Sequence, residues 1–318
     1  MLVIVSTLVG LEVAGQLLVW RLTGQWEAMK TQDDHYYAPV DNRLLAYGLA
    51  PSVSLITEGR TLHINRHGIR DDDDALHADQ RKIALLGDSV TFGIGHSQDQ
   101  TIAAKLQARL DAAGPAVKVL NFGVPGYGLD EVLEHLKVKN AVYAVDRAIY
   151  ILNLNDFSRR DSMYEGAANG LYRMYRRPRI ASLWIFRKLV YRLRKGSLRQ
   201  STATTIGWYR WLFDGNGAHG CSQLREMKAY CDANGIALTV VLLPAGCAYV
   251  EGQYTLADIH QKLREFAERN SIDMIDVAPL FTADPRRFFD DTDHFLHDGN
   301  ELMVEILADR LRTAAPSN

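Results

Sequence analysis

Cysteine is scarce in these 318 residues, and neither sign of charge dominates. Cys221, Cys231 and Cys247 are too few and too scattered for a disulfide framework or a zinc site. Cys221 and Cys231 fall on one predicted helix, ~15 Å apart by helical rise, too far to bridge. The 36 Lys plus Arg nearly cancel the 38 Asp plus Glu, and a net charge of −2 excludes the basic footprint of a nucleic-acid binder. Internal repeats and low-complexity tracts are missing too. With 47% hydrophobic and 23% charged residues, the composition excludes a disordered or collagenous chain. The length fits two average domains or one large α/β domain with insertions.

A further absence is local. Between Gly166 and Phe213 there is no Asp or Glu, while Arg173, Arg176, Arg177, Arg187, Lys188, Arg192 and other cations crowd in. Trp184, Phe186, Leu189 and Leu193 run among them at roughly helical spacing. Such a basic amphipathic insertion (about 160–215) suits a lid or, over 180–195, contact with an anionic membrane surface. A helical pair packed on the sheet with a solvated basic face fits it equally.

Charge is also nearly absent from residues 1–20, MLVIVSTLVGLEVAGQLLVW, where only Glu12 and Gln16 interrupt the apolar run. That length can cross a bilayer core, which predicts a signal anchor or transmembrane helix over 1–22 and places the remaining chain outside the cytoplasm. The flanking charge does not support this orientation, since Arg21 and Lys30 follow the run and no basic residue precedes it. A helix packed on the domain is the alternative. Residues 23–81 form an extension in which VSLIT and TLHIN (53–65) alternate around a Glu58-Gly59-Arg60 turn, a predicted β-hairpin. The Asp71–Asp74 run lacks the ligand spacing of a calcium loop and reads as solvated.

From residue 82 short apolar strands alternate with amphipathic helices. Strands are expected at 82–89, 117–123, 147–156, 236–246 and 271–280, and helices at 99–113, 129–140, 222–233, 256–269 and 299–313. That rhythm predicts an α/β domain over 82–318 with a five-stranded parallel sheet covered on both faces. Ligands bind such sheets beyond the carboxyl ends of the strands. Four polar clusters fall there: Gly87-Asp88-Ser89, Asn121 to Gly128, Asn155-Asp156, and Asp291-Thr292-Asp293-His294.

These clusters hold the parts of nucleophilic acyl transfer. A serine hydroxyl needs a histidine to take its proton, and the histidine needs a carboxylate to fix its tautomer. The tetrahedral intermediate needs donors aimed at its oxyanion. Ser89, His294 and Asp291 fill the first roles, and the Ser89 N–H, Gly126 N–H and Asn155 amide fill the last. His297, with Asp293 or Asp298, is a rival base. No metal or cofactor is implied.

GDSVTFG, the glycine of NFGVPGYG, the Asn of NLND and the Asp-x-x-His of DTDH resemble the four blocks of the SGNH (GDSL-type) hydrolases. The likeness spans about 82–313, and the upstream string INRHGIR (64–70) looks like that of membrane-anchored bacterial members. The resemblance implies a flavodoxin-like three-layer α/β/α sandwich and metal-free serine chemistry. Carried over block by block, Ser89 is the nucleophile, Gly126 and Asn155 complete the oxyanion hole, and Asp291 and His294 complete the triad. Asn153 departs from the usual Gly of the third block, and Gly299-Asn300 replaces the usual Gly-His.

The expected function is a serine esterase acting on O-acyl groups of an envelope carbohydrate or lipid. An O-acyltransferase for a surface polysaccharide shares the same acyl-enzyme and differs in whether an alcohol replaces water. A lipid hydrolase docked on a membrane, and a non-catalytic polysaccharide-binding or assembly protein with the same fold, complete the alternatives.

Overall fold

A computed structural model describes residues 2–23, 36–158 and 202–313, apart from positions 39, 46, 58, 77, 113, 115–116, 282–283 and 291–292. After helix α1 (Leu2–Thr23), β1 (Tyr37–Ala38) pairs antiparallel with β2 (Gly48–Leu49), and β3 (Val53–Thr57) with β4 (Arg60–Ile64). The predicted hairpin therefore forms, with Thr57 opposite Arg60, so Arg60 belongs to the strand rather than to the turn. β5 (Arg81–Leu86) leads into the single-turn α2 (Ser89–Phe92), then α3 (Ile102–Asp111), β6 (Val117–Asn121), α4 (Leu129–Tyr143) and β7 (Arg147–Leu152). Next come α5 (Thr202–Ala233), β8 (Ala237–Leu242), β9 (Tyr249–Val250), β10 (Gln253–Tyr254), α6 (Ala257–Arg269), β11 (Asp273–Asp276), α7 (Pro285–Phe288) and α8 (His297–Thr313).

Five of these strands form one parallel sheet in the order β6-β5-β7-β8-β11. Taken along the chain, that is the 2-1-3-4-5 order of flavodoxin-like folds. The three inner strands, β5, β7 and β8, are buried from their second residue onward and largely apolar there, because both their faces are covered. In β7, Ala148, Tyr150 and Leu152 enter the core beneath α4, α5 and α6. Ile149 and Ile151 enter the opposite core, beneath α3 and α8. The helices supply matching stripes, Leu129, Val132, Leu133 and Leu136 on α4 and Met303, Val304, Leu307 and Ala308 on α8, at the helical spacing that keeps one face buried. Each fully buried Leu in these stripes contributes about 1.5–3 kcal/mol.

Helix α5 begins twenty residues earlier than its predicted start at 222 and runs for 32 residues. The rest of the basic insertion, including 180–195, lies outside the described residues. At the other end of the chain, the expected membrane anchor is not supported. The helix over 2–23 forms, yet no helix among the described residues is long and apolar enough to cross a membrane. Its middle carries a polar pair, with Gln16 Nε2 donating to Glu12 Oε1 at 2.7 Å.

The carboxyl ends of β5 and β7 make the crevice that positions the site. The chain passes from β5 out to β6 and then returns to the other side of β5 as β7. The loops after β5 and β7 consequently diverge, and the gap between them is open to a ligand.

Candidate active site

Ser89 sits at the start of α2, one sharp bend beyond β5. The bend depends on Gly87, whose φ is +149°. A Cβ there would lie 2.2 Å from Thr91 Oγ1 and 2.8 Å from the Ile151 carbonyl oxygen, so only glycine lets the chain turn this tightly. Asp88 is 1% exposed. Its Oδ1 caps the turn by accepting from the Val90 N–H at 3.0 Å. Its Oδ2 accepts from Asn155 Nδ2 at 3.0 Å and lies 3.3 Å from Ser89 Oγ. Asp88 thereby fixes Asn155 beside the serine while leaving the second amide hydrogen of Asn155 for another acceptor.

His294 comes from a short loop before α8. Phe289 and Phe295 pair as an isolated antiparallel bridge, and the Asp290 N–H donates to the His294 carbonyl at 3.0 Å. Phe281, Phe289 and Phe295 pack together under this loop, with ring centroids 5.0–5.7 Å apart. An aromatic floor of this kind holds the imidazole in one place. His294 Nε2 lies 2.9 Å from Ser89 Oγ, hydrogen-bonding distance for a base about to take the hydroxyl proton. Asp291 lies outside the described residues.

The neighbouring carboxylates are also held. Tyr209, from α5, is 1% exposed and donates its hydroxyl to Asp293 Oδ1. Asp156 receives the Tyr150 hydroxyl at 2.8 Å and the Asn153 N–H at 3.1 Å, both on Oδ2. Burial, followed by the charge of Asp88, pushes the Asp156 carboxyl well above the usual carboxylate range.

Of the predicted oxyanion donors, Asn155 is held beside Ser89 by Asp88. Among the described residues neither the Ser89 N–H nor the Gly126 N–H donates to any acceptor. Gly126, with φ +82°, crowns the loop after β6. That loop is tied back to the Ser89 bend by the Val124 N–H, which donates to the Gly87 carbonyl at 3.1 Å. The rival base is directed elsewhere. The His297 side chain is 63% exposed and faces Glu301 at 3.6 Å, and Asp298 pairs with Arg287 at 2.6 Å.

A serine hydroxyl within hydrogen-bonding reach of an imidazole, beside unengaged N–H groups at the carboxyl edge of a flavodoxin-like sheet, suits acyl transfer, and comparison with known proteins agrees on the family. The model of the GDSL-like lipase/acylhydrolase family matches residues 85–302, well over half of the chain. The protein is a member of that family. No curated protein matches the sequence. Solved structures similar to this acylhydrolase include a lipase/acylhydrolase from Enterococcus faecalis, at 17% identity over 74% of this chain and 96% of that one, with a TM-score of 0.47. TesA is similar at 14% identity, covering 73% and 99% of the two chains, with a TM-score of 0.48. The psychrotrophic esterase EstA from Pseudoalteromonas sp. is similar at 13% identity, covering 74% and 98%, with a TM-score of 0.46.

Two departures from the family pattern have visible consequences in this acylhydrolase. The side chain of Asn153 is 1% exposed, and neither its Nδ2 nor its Oδ1 has a hydrogen-bond partner among the described residues. Asn300 fills the usual His position and donates through Nδ2 to the Gln100 carbonyl at 3.0 Å. Inspection of the sequence did not single out Asp88, Tyr209, His96 or Arg70 for individual roles. The last of these was visible only as a letter in INRHGIR, and its contacts come from a segment upstream of the matched region.

Proposed function

We propose that this acylhydrolase is a serine esterase that cleaves O-acyl groups from a carbohydrate or lipid. The 2.9 Å approach of His294 Nε2 to Ser89 Oγ at the sheet's carboxyl edge carries the reading. In this mechanism His294 takes the Ser89 proton as the oxygen attacks the acyl carbon. Asp291, at the family spacing, orients the imidazole and balances its charge. The Ser89 and Gly126 N–H groups and the Asn155 amide receive the oxyanion, each worth about 10²–10³ in rate. Collapse of the intermediate expels the alcohol, which takes the proton from His294. Water then repeats the sequence on the acyl-enzyme and releases the acid.

The test compares the full chain with Ser89→Ala on p-nitrophenyl acetate, butyrate and octanoate. The expected result is a burst of p-nitrophenol followed by turnover in the wild type, both lost in the variant. The chain-length preference then separates an acetyl-carbohydrate esterase from a lipid esterase. Folded wild-type protein that matches Ser89→Ala on all three esters would refute simple hydrolysis.

A further inference from the structure

The INRHGIR segment lies upstream of the matched family region, and the catalytic chemistry leaves it without a role. Its geometry is specific. Asn65 organises the segment itself, taking the N–H groups of His67 at 3.0 Å and Ile69 at 3.2 Å on Oδ1. Its Nδ2 donates to the Asp73 carbonyl at 2.8 Å. This delivers Arg70, 3% exposed, under the turn that follows the nucleophile. There Nη1 donates to the carbonyls of Phe92 at 3.0 Å and Gly93 at 2.8 Å, and Nη2 to that of His96 at 2.7 Å. Nε donates to Gln98 Oε1 at 3.1 Å, and the guanidinium lies 4.8 Å from the centre of the Phe92 ring. One buried cation thus fixes residues 92–98 by three backbone carbonyls and one side chain.

The braced segment reaches across the crevice to the histidine loop. His96 Nε2 lies 2.8 Å from the carbonyl oxygen of Phe295, the residue after His294. A carbonyl can only accept, so Nε2 carries the proton and donates. Five residues further on, Asn300 makes the second tie, to Gln100. Ser89 and His294 are 205 positions apart in the chain, and among the described residues these two ties join the loop after the nucleophile to the segment 295–300.

We propose that His96, braced by Arg70, is a positioning residue that sets the Ser89–His294 distance through the Phe295 carbonyl. INRHGIR is then a support built outside the core of the domain to keep nucleophile and base in register. The proposal rests on the reading of Ser89 and His294 as nucleophile and base. Its mechanism is geometric: a displacement of the imidazole by about 1 Å costs on the order of 10²-fold in rate.

The experiment compares His96→Ala and His96→Gln in the full chain. It measures steady-state hydrolysis of p-nitrophenyl butyrate, the rate at which a fluorophosphonate labels Ser89, and thermal melting. His96→Ala is expected to lower kcat by about 10- to 100-fold with KM within twofold, and to slow labelling in step. Gln can donate from a similar reach, so His96→Gln is expected to recover most of the lost rate. Loss confined to KM, equal loss in both variants, or kcat within twofold of wild type in His96→Ala would overturn the proposal. Should His96→Ala melt below the assay temperature, His96→Phe, which keeps a ring but loses the donor to the Phe295 carbonyl, carries the same test. Failure of the underlying reading is distinguishable, because Ser89→Ala would then still turn over or still take the label.

Discussion

On the Ser89 side of the crevice, Arg70 directs its donors onto backbone carbonyls and one glutamine. On the α5 side, Tyr209 and Tyr150 direct theirs onto the carboxylates of Asp293 and Asp156. Both arrangements bury polar groups next to the same reacting pair, but they differ in what can change. Backbone carbonyls do not titrate, and burial lowers the Arg70 guanidinium only to about 10, so the brace keeps one charge state around neutral pH. Carboxylates do titrate, and the charges of Asp88 and Asp293 both push the buried Asp156 carboxyl upward. The first side is a fixed frame, whereas the second depends on where protons are held.

Breaking the frame is expected to have the largest effect. Arg70→Met keeps the apolar stem but removes every donor, taking the charged partner from the carbonyls of Phe92, Gly93 and His96, of which Phe92 keeps Asn121 Nδ2 and Gly93 keeps the His96 N–H. Hydrogen bonds to a charged donor contribute about 1.5–3 kcal/mol each, so a loss of about 3–5 kcal/mol follows. For a chain of this size that lowers Tm by roughly 10 °C. A melting curve within two or three degrees of wild type would mean that the brace is not structural, and that the contrast between the two sides is false.

The carboxylate side should respond less in stability and more in rate. Tyr209→Phe retains the ring in its buried slot and deletes only the hydroxyl that Asp293 accepts. With Asp293 next to His294 in the chain, kcat is expected to fall about 10-fold, or ~1.4 kcal/mol of transition-state stabilisation, while Tm moves by a few degrees. Steady-state kinetics beside calorimetry decides this. A large Tm drop with unchanged kcat would assign Tyr209 to the core instead.

Much of this architecture was legible in the sequence because it follows from local periodicity. The strand predicted over 147–156, which ends at Leu152 in the structure, is an apolar run that reads as buried on both faces. The parallel sheet and the four loop clusters at its carboxyl edge follow from that. Ser89 and His294, which the structure brings to hydrogen-bonding distance, stood out as candidates because each sits in a cluster of fixed local spacing. The supports were not. Arg70 acts on residues 22–28 positions away, His96 on one 199 positions away and Tyr209 on one 84 positions away. No periodicity encodes contacts at such separations, and an isolated Arg or Tyr has many ordinary places in a fold. Glu12 and Gln16 give the opposite lesson. Composition alone made the N-terminal run resemble a bilayer span, whereas in the helix these two side chains pair with each other.

The smallest effect sharpens the comparison most, because only the carboxylate side can show it. Burial, aided by Asp88 and Asp293, raises the Asp156 carboxyl well above its ordinary 3.8. The folded state therefore holds a proton that the unfolded chain releases. Stability is complete below the unfolded value and declines as pH rises towards the folded one. Asn at position 156 can still accept from the Tyr150 hydroxyl and the Asn153 N–H, yet it has no proton to lose. The Tm of Asp156→Asn minus that of wild type should consequently grow as pH rises from about 4 to 8. It should level off above the raised value, where both chains have completed their titration. A difference that stays constant with pH, or that shrinks as pH rises, would show that Asp156 is already ionised in the folded protein, with the two sides of the crevice alike in their response to protons.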